Sequence, residues 1–166
     1  MFANVNATIL MFSRGEFSNP ANISFSGIYD SVIPKEKNND FYLKELNFAV
    51  CLSMIFDDRL TWLTRSNENY LQLEHPYACV VRLTHVLTGN GVNLGEFELT
   101  VDPKNLKRYR EQSFYEYNRV FCRENIILPF GLGEYVLRLV IAPKNTDPDG
   151  GWQTQALHSL LVGATV

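Results

Sequence analysis

Histidine and cysteine are the residue types most able to bind a metal ion or to act in catalysis, and this chain has three of each. They are His75, His85, His158, Cys51, Cys79 and Cys122. Zinc ligands usually occur in close pairs, such as two cysteines separated by two residues, and these six residues form no such pair. Cys79 and His85 are an even number of positions apart, so a strand would place them on one face. Because free cysteine is often buried, this spacing favours a core thiol and a hydrogen-bonded histidine over a catalytic pair.

Two acidic clusters could bind calcium or support hydrolysis. Asp57 and Asp58 stand together in the first, and Asp147 and Asp149 flank Pro148 in the second. The second cluster resembles the start of a calcium-binding loop, but the proline interrupts it and no glutamate closes it at the required distance. A turn held by aspartate side-chain hydrogen bonds is the favoured interpretation, and calcium binding stays open.

The stretch "ILPFGLGEYVLRLVI", residues 127–141, contains a glycine pair that could cradle a phosphate. A phosphate-binding loop needs its glycines between a strand and the start of a helix. Here Gly131 and Gly133 precede an alternating, strand-like run, and no Lys-Ser/Thr pair follows them. The pattern therefore predicts a turn that leads into a strand beginning at Tyr135.

Residues 103–124 combine positive charge with aromatic side chains. They include six basic and three acidic residues, whereas the whole chain has a net charge of -3. Five aromatic residues are interleaved with these charges: Tyr109, Phe114, Tyr115, Tyr117 and Phe121. Such a segment could bind single-stranded nucleic acid through phosphate contacts and base stacking. It could also bind a protein, because Tyr and Arg are enriched at interfaces, or simply cover one end of the fold.

The residues predicted to form a binding surface in this segment share exposed charge or flat apolar area. They are Arg108, Tyr109, Arg110, Tyr115, Tyr117 and Arg119. The acidic balance of the whole chain disfavours nucleic acid, so a protein partner or self-association is expected. A second candidate surface surrounds Trp62 and Tyr70, although Trp62 is more typical of a core. Open sheet edges are a third route to a partner.

Alternation of apolar and polar residues with a period of two predicts the strands that position these side chains. In "LNFAVCLSM", for example, Leu46 and Phe48 point to one face while Asn47 points to the other. Strands are predicted at residues 5–12, 23–29, 46–54, 77–87, 95–101, 135–141 and 156–162. In the fourth of these runs, Leu87 is expected on the apolar face. The stretch "TGNGVN" predicts a hairpin connection longer than two residues.

Several antiparallel strands with one polar face each predict an all-β fold, a two-layer antiparallel β-sandwich of immunoglobulin-like or related type. Residues 1–166 are expected to form a single domain, since the chain has no linker, repeat or low-complexity tract. The exception to the alternation lies near residues 104–123. A short helix or helical turn is expected over residues 105–112, followed by an irregular or strand-like return.

Composition narrows the function classes. Hydrophobic residues make up 46% of the chain and charged residues 20%, which is typical of a globular protein. No apolar run approaches the roughly 20 residues that a membrane-spanning helix needs. The odd number of cysteines and the absence of a leader-like N-terminus predict a cytoplasmic location.

Two parts of the sequence resemble an uncharacterised bacterial family of small β-sandwich proteins, known only as a domain of unknown function. The first is "ISFSGIYDSVIPKE", in which Gly27, Tyr29, Asp30 and Pro34 match a strand that ends in a turn. The second is "LPFGLGEYVLRLVI", in which Gly133 and Tyr135 match a strand entry. The resemblance implies an immunoglobulin-like sandwich in the bacterial cytoplasm and implies no activity.

Taken together, the sequence predicts a non-enzymatic, cytoplasmic binding or assembly module without a cofactor. Its protein partner would meet the basic and aromatic segment or an open sheet edge. The alternative is a metal-dependent or hydrolytic enzyme that uses loop His and Asp residues. The third possibility is a single-stranded nucleic-acid binder.

Overall fold

Two antiparallel sheets packed face to face form the structure, a computed structural model that describes residues 1–19, 22–28, 31–32, 34–38, 40–57, 70–128, 130–144 and 153–163. In chain order, the first six strands are β1 (Phe2–Asn19), β2 (Asn22–Ile28), β3 (Ser31–Val32), β4 (Lys35–Lys37), β5 (Asp40–Asp57) and β6 (Tyr70–Gln72). The remaining described strands are β7 (Tyr77–His85), β8 (Gly91–Leu99), β9 (Lys107–Tyr109), β10 (Gln112–Leu128), β11 (Gly133–Pro143) and β12 (Gln153–Val162). The predicted all-β sandwich is confirmed.

The larger sheet has the order β2-β1-β5-β10-β9, with β4 paired to β5 and β6 paired to β1. The smaller sheet has the order β3-β12-β11-β7-β8. Strands β1 and β5 pair from Phe2↔Asp57 to Met11↔Phe48, and β5 continues in register with β10 from Ser113↔Phe56. Within the described residues, β8 ends one sheet, and β10 is covered by β9 only over its first three positions.

The core lies between the two sheets and is formed by alternate residues of their strands. From the larger sheet, Phe48, Val50 and Met54 are fully buried, and from the smaller sheet Leu83 and Leu137 meet them. Burial of this apolar area, at about 25 cal/mol per Å², is the main favourable term in folding. The alternation read from the sequence therefore identified the inward face of these strands, because a pleated strand sends successive side chains to opposite faces.

Both predicted turns are confirmed. Strands β7 and β8 are joined through residues 86–90, with Gly89 at a φ of 71°, so the connection is longer than two residues. Gly131 and Gly133 have φ values of 76° and 144° and lead directly into β11, in the region that favours glycine. The hydroxyl group of Tyr135 donates a hydrogen bond to the Gly131 carbonyl at 2.8 Å and holds this turn closed.

Two local predictions were wrong. Residues 105–112 do not form a helix: one 3-10 turn spans Pro103–Asn105, and the chain then forms the β9–β10 hairpin. The return after residue 112, predicted as irregular or strand-like, is a strand: Tyr115, Tyr117 and Phe121 share one face of β10 and pack on the core. Leu87 is 90% exposed rather than inward, since β7 ends at His85 and Leu87 lies in the turn.

Within the described residues, no helix has the length and apolar character needed to cross a membrane.

Candidate interaction surface

The tip of the β9–β10 hairpin carries an exposed tyrosine and arginine. Tyr109 pairs with Gln112 in the hairpin register, so Arg110 and Glu111 form the turn between them. Tyr109 is 65% exposed, and the Arg110 guanidinium lies 5.4 Å from the centre of its ring. This is within the range of a cation–π contact. We call Tyr109 and Arg110 the tip cluster.

Arg110 adopts an unfavourable backbone conformation. Its φ is 56°, in the left-handed region where a side chain crowds the following carbonyl group. Glycine or asparagine is the usual residue in such a position. The chain therefore places an arginine where conformation alone would favour glycine, and the contact with Tyr109 follows from that placement.

The base of the hairpin is held by an ion pair and a ring contact. Lys107 lies opposite Phe114, with its ammonium group 5.8 Å from the ring centre and 3.4 Å from a Glu116 carboxylate oxygen. Both ends of this ion pair are more than half exposed, so it contributes no more than about 1 kcal/mol. The pair offsets the Lys107 charge, while the direction of the hairpin is set by the pairing of β9 with β10.

Further along β10, aromatic rings from both sheets meet at their neighbouring edges. Phe97 of β8 stacks on Tyr117 with a centroid distance of 5.3 Å and an interplanar angle of 16°. Phe121 stacks on Phe48 of β5 at 5.0 Å and lies 6.1 Å from Phe97. The rings therefore join the edges of the two sheets.

Two exposed arginines lie on these rings. The Arg119 guanidinium is 5.7 Å from the Phe97 ring centre and 5.3 Å from that of Phe121, and Arg123 is also 5.3 Å from Phe121. Arg123 donates from its Nε to the carbonyl oxygen of Leu94, the additional residue in a β-bulge of β8. We call Arg119 and Arg123 the edge cluster.

The edge cluster is suited to binding carboxylates. A guanidinium group offers five N–H donors, and Arg119 forms no ion pair with a residue that the structure describes. Stacking on two rings restricts the Arg119 side chain before any ligand arrives, which lowers the entropy cost of binding. A carboxylate could therefore accept two parallel hydrogen bonds from it.

The six predicted binding residues do not form one continuous patch. Arg108, Tyr109, Arg110 and Arg119 are exposed, whereas Tyr115 and Tyr117 are half-buried against the core. Arg119 lies seven positions beyond Gln112, the first residue of β10, or roughly 23 Å along the strand at 3.3 Å per residue. The structure thus separates the predicted surface into the tip cluster and the edge cluster.

Arg123 of the edge cluster and the neighbouring Phe97 were not among the six predicted residues. Phe97 was assigned to the core because of its place in an alternating strand, and its partners on β10 are distant in sequence. The odd-numbered positions of β10 from 115 to 123 are Tyr, Tyr, Arg, Phe and Arg. This period of two could have predicted that the five side chains share one face of a strand. The two arginines, however, interrupt the apolar alternation by which strands were predicted.

The three histidines lie apart. His75 and His85 are near opposite ends of β7, and His158 lies on β12, separated from β7 by β11. His85 is 4% exposed and packs against Tyr135 at 4.9 Å. Its Nδ1 is 3.2 Å from the Thr88 hydroxyl, but its buried Nε2 has no hydrogen-bond partner among the described residues, which provide the predicted core histidine with a partner for only one of its ring nitrogens.

The cysteines differ mainly in burial. Cys79 is buried, and desolvation raises the pKa of its thiol to about 12. Burial also raises the pKa of Cys51, whereas Cys122 is exposed. A thiol that stays protonated is a poor nucleophile and metal ligand, which agrees with the predicted core thiol at Cys79. Among the described residues, no three His, Cys, Asp or Glu side chains gather as a metal site.

Several predicted features lie outside the described residues: Trp62, Asp58, Asp147 and Asp149, together with the turn residues Tyr29 and Asp30. Calcium binding by the acidic loops and the second candidate surface therefore stay predictions.

Searches against protein-family models and against curated proteins find no match to this chain. Gly133 and Tyr135 do mark a strand entry, as the resemblance to the bacterial sandwich family predicts. Membership of that family stays a prediction.

Proposed function

We propose that this chain is a single-domain, non-enzymatic binding or assembly module of the cytoplasm that engages a protein partner through the β9–β10 hairpin and the neighbouring β10 edge. The observation that carries the proposal is the tip cluster. Tyr109 is a largely exposed aromatic residue, and Arg110 contacts it from a strained backbone position. Local strain that stability does not explain is a feature of functional sites.

The β10 edge supports the same proposal. Beyond Phe114, no described strand pairs with the outer side of β10, so backbone donors and acceptors are available to an added strand. Arg119 stands on this stretch with an exposed guanidinium. An extended segment that carries a carboxylate would find both backbone partners and a charged anchor, while the tip cluster would supply a flat hot-spot contact.

Comparison of two double variants as bait proteins in cell extract tests the proposal. Tyr109→Ala/Arg110→Ala removes the tip cluster, and Leu157→Ala/Arg138→Ala is the matched control. Leu157 and Arg138 are directly opposite each other, exposed, and on the outer face of the smaller sheet. We expect a captured partner to be retained by the native and control proteins and reduced at least tenfold by the tip variant.

The melting temperature should be the same for the two variants to within a few degrees, because all four side chains are exposed. An unchanged set of captured partners for the tip variant would overturn the proposal. Stoichiometric metal in the purified protein would instead favour the enzyme alternative. A salt-dependent gel shift with a single-stranded oligonucleotide would favour the nucleic-acid alternative.

A further inference from the structure

A groove with a volume of about 770 Å³ lies on the outer face of the larger sheet, away from the core. Its volume is within the roughly 300–1,000 Å³ typical of sites for small ligands. Strands β1, β5 and β10 form its floor, and the base of the hairpin borders it through Lys107. Neither the tip cluster nor the edge cluster lines this groove.

The strand register arranges the floor of the groove as two polar rows. In one row Asn6, Ser53 and Glu116 lie side by side across the three strands, and in the next row Thr8, Cys51 and Asn118 do so. The four amide and hydroxyl side chains are exposed. Each can both donate and accept hydrogen bonds. At about 4.8 Å between strands, each row is roughly 10 Å long.

Apolar side chains border the polar rows at both ends. The row before them contains Ile55, which is 40% exposed, and the half-buried ring of Phe114. The row after them contains Leu10 and Val120, both half-buried, around the buried Ala49. These apolar side chains lie in the rows next to the groove, so a ligand that extends past the polar rows along the strands would reach them.

The groove has little net charge. Lys107 and Glu116 are its charged residues, and they form an ion pair with each other at 3.4 Å. The thiol of Cys51 stays neutral at physiological pH, since burial raises its pKa. An anion would be repelled by Glu116 and a cation by Lys107, so the ion pair favours an uncharged ligand.

We propose that this groove binds a neutral saccharide of about two sugar rings. Hydroxyl groups at the rim of a sugar both donate and accept hydrogen bonds, which matches Asn6, Thr8, Ser53 and Asn118. The C–H groups on the faces of its rings match the apolar borders at Phe114 and Val120. The length of the polar rows is that of a disaccharide. This binding uses neither the tip cluster nor the edge cluster, so it can be tested independently of the proposed protein partner.

Nuclear magnetic resonance titration of the ¹⁵N-labelled full chain tests the proposal. The probes are cellobiose, maltose, lactose and N,N′-diacetylchitobiose, each at up to 20 mM, with the anion digalacturonate for comparison. We expect at least one neutral disaccharide to cause saturable shifts centred on the backbone amides of residues 6–8, 51–53 and 116–118. Digalacturonate should bind at least tenfold more weakly.

Asn118→Ala should weaken the titration at least fivefold, whereas Asn93→Ala should leave it unchanged. Asn93 is an equally exposed asparagine on the outer face of the smaller sheet, so it is a matched control. Both variants should keep the native melting temperature, which excludes unfolding as the cause. Absence of saturable shifts at the groove with all four neutral probes, or equal binding of digalacturonate, would overturn the proposal.

Discussion

At the scale of single residues, Arg110 is the clearest case in which the residue present is not the one that the backbone conformation favours. Its left-handed φ costs about 1 kcal/mol relative to a residue in an ordinary region. The Arg110 side chain is exposed, so its burial offsets little of this cost. The contact with the Tyr109 ring is solvent-exposed and stabilises the fold only slightly. An arginine at this position is thus better explained by recognition than by stability.

Replacement of Arg110 by glycine tests this explanation. Glycine adopts a φ of 56° without steric cost, so we expect Arg110→Gly to leave the free energy of unfolding unchanged or raise it by up to about 1 kcal/mol. Partner binding should fall because the guanidinium is lost. Arg108→Gly is the control: Arg108 lies in extended β9, where glycine should cost roughly 0.5–1 kcal/mol. Urea denaturation measures both values, and a larger loss of stability in Arg110→Gly than in Arg108→Gly would contradict the explanation.

The alternation of odd and even positions along a strand predicted which face of the sheet a side chain points to, but not which residues it contacts. It correctly placed Cys79 and His85 on the inner face, because strand geometry fixes side-chain direction. It could not show that His85 Nε2 has no partner among the described residues, since that depends on the Gly133 turn packed against the ring. Likewise, the exposed arginines of the predicted surface were identified, but the rings beneath Arg119 come from two different sheets.

At the scale of elements, β10 and β8 are held together by one unusually close contact. The Phe121 ring lies directly on Gly95, so that a Cβ atom added to this glycine would lie 2.5 Å from a ring carbon. Phe121 is 3% exposed and contacts Phe48 and Phe97 as well. The absence of a side chain at position 95 therefore allows the ring that supports Arg119 and Arg123 to reach its place.

Gly95→Ala should consequently destabilise the protein by about 1–3 kcal/mol, because the ring or the backbone of β8 must move to admit the methyl group. For a chain of this length the melting temperature should fall by about 2–4 °C for each kcal/mol. Gly163→Ala is the control, since nothing lies within 4 Å of the added carbon there. Equal melting temperatures for the two variants would show that the Phe121–Gly95 contact does not constrain the edge.

The strands that apolar alternation predicted differ from β10 in the residues on their inward face. The predicted strands β5, β7, β8 and β11 bury one face against the opposite sheet, so apolar residues recur at alternate positions over most of each strand. Strand β10 lies near the sheet margin, so its inward positions include the arginines 119 and 123, whose stems cover rings while their charged ends stay in water. These arginines weaken the hydrophobic periodicity, so the region was predicted only as an irregular or strand-like return after a helix over residues 105–112, of which Gln112 alone belongs to β10.

At the scale of the whole molecule, the apolar core lies between the two sheets, and the candidate binding residues lie on the β9–β10 hairpin and the β10 edge. One apolar cluster fills the space between the described parts of the two sheets. The +3 segment, residues 103–124, supplies the hairpin and a sheet edge in a chain of net charge -3. The hairpin and this sheet edge therefore differ from the rest of the chain in the sign of their net charge. This difference favours partners that present carboxylates to them.

The most direct test of this account is site-specific photocrosslinking in the cells that produce the protein. A benzophenone amino acid would replace Tyr109 in one variant and Leu157 in another; the two side chains are 65% and 62% exposed on different surfaces. We expect a discrete covalent adduct from position 109 that disappears when Arg110→Ala is added, and no comparable adduct from position 157. Adducts that are equal at the two positions, or that persist without Arg110, would contradict the proposal that the hairpin tip is the binding surface.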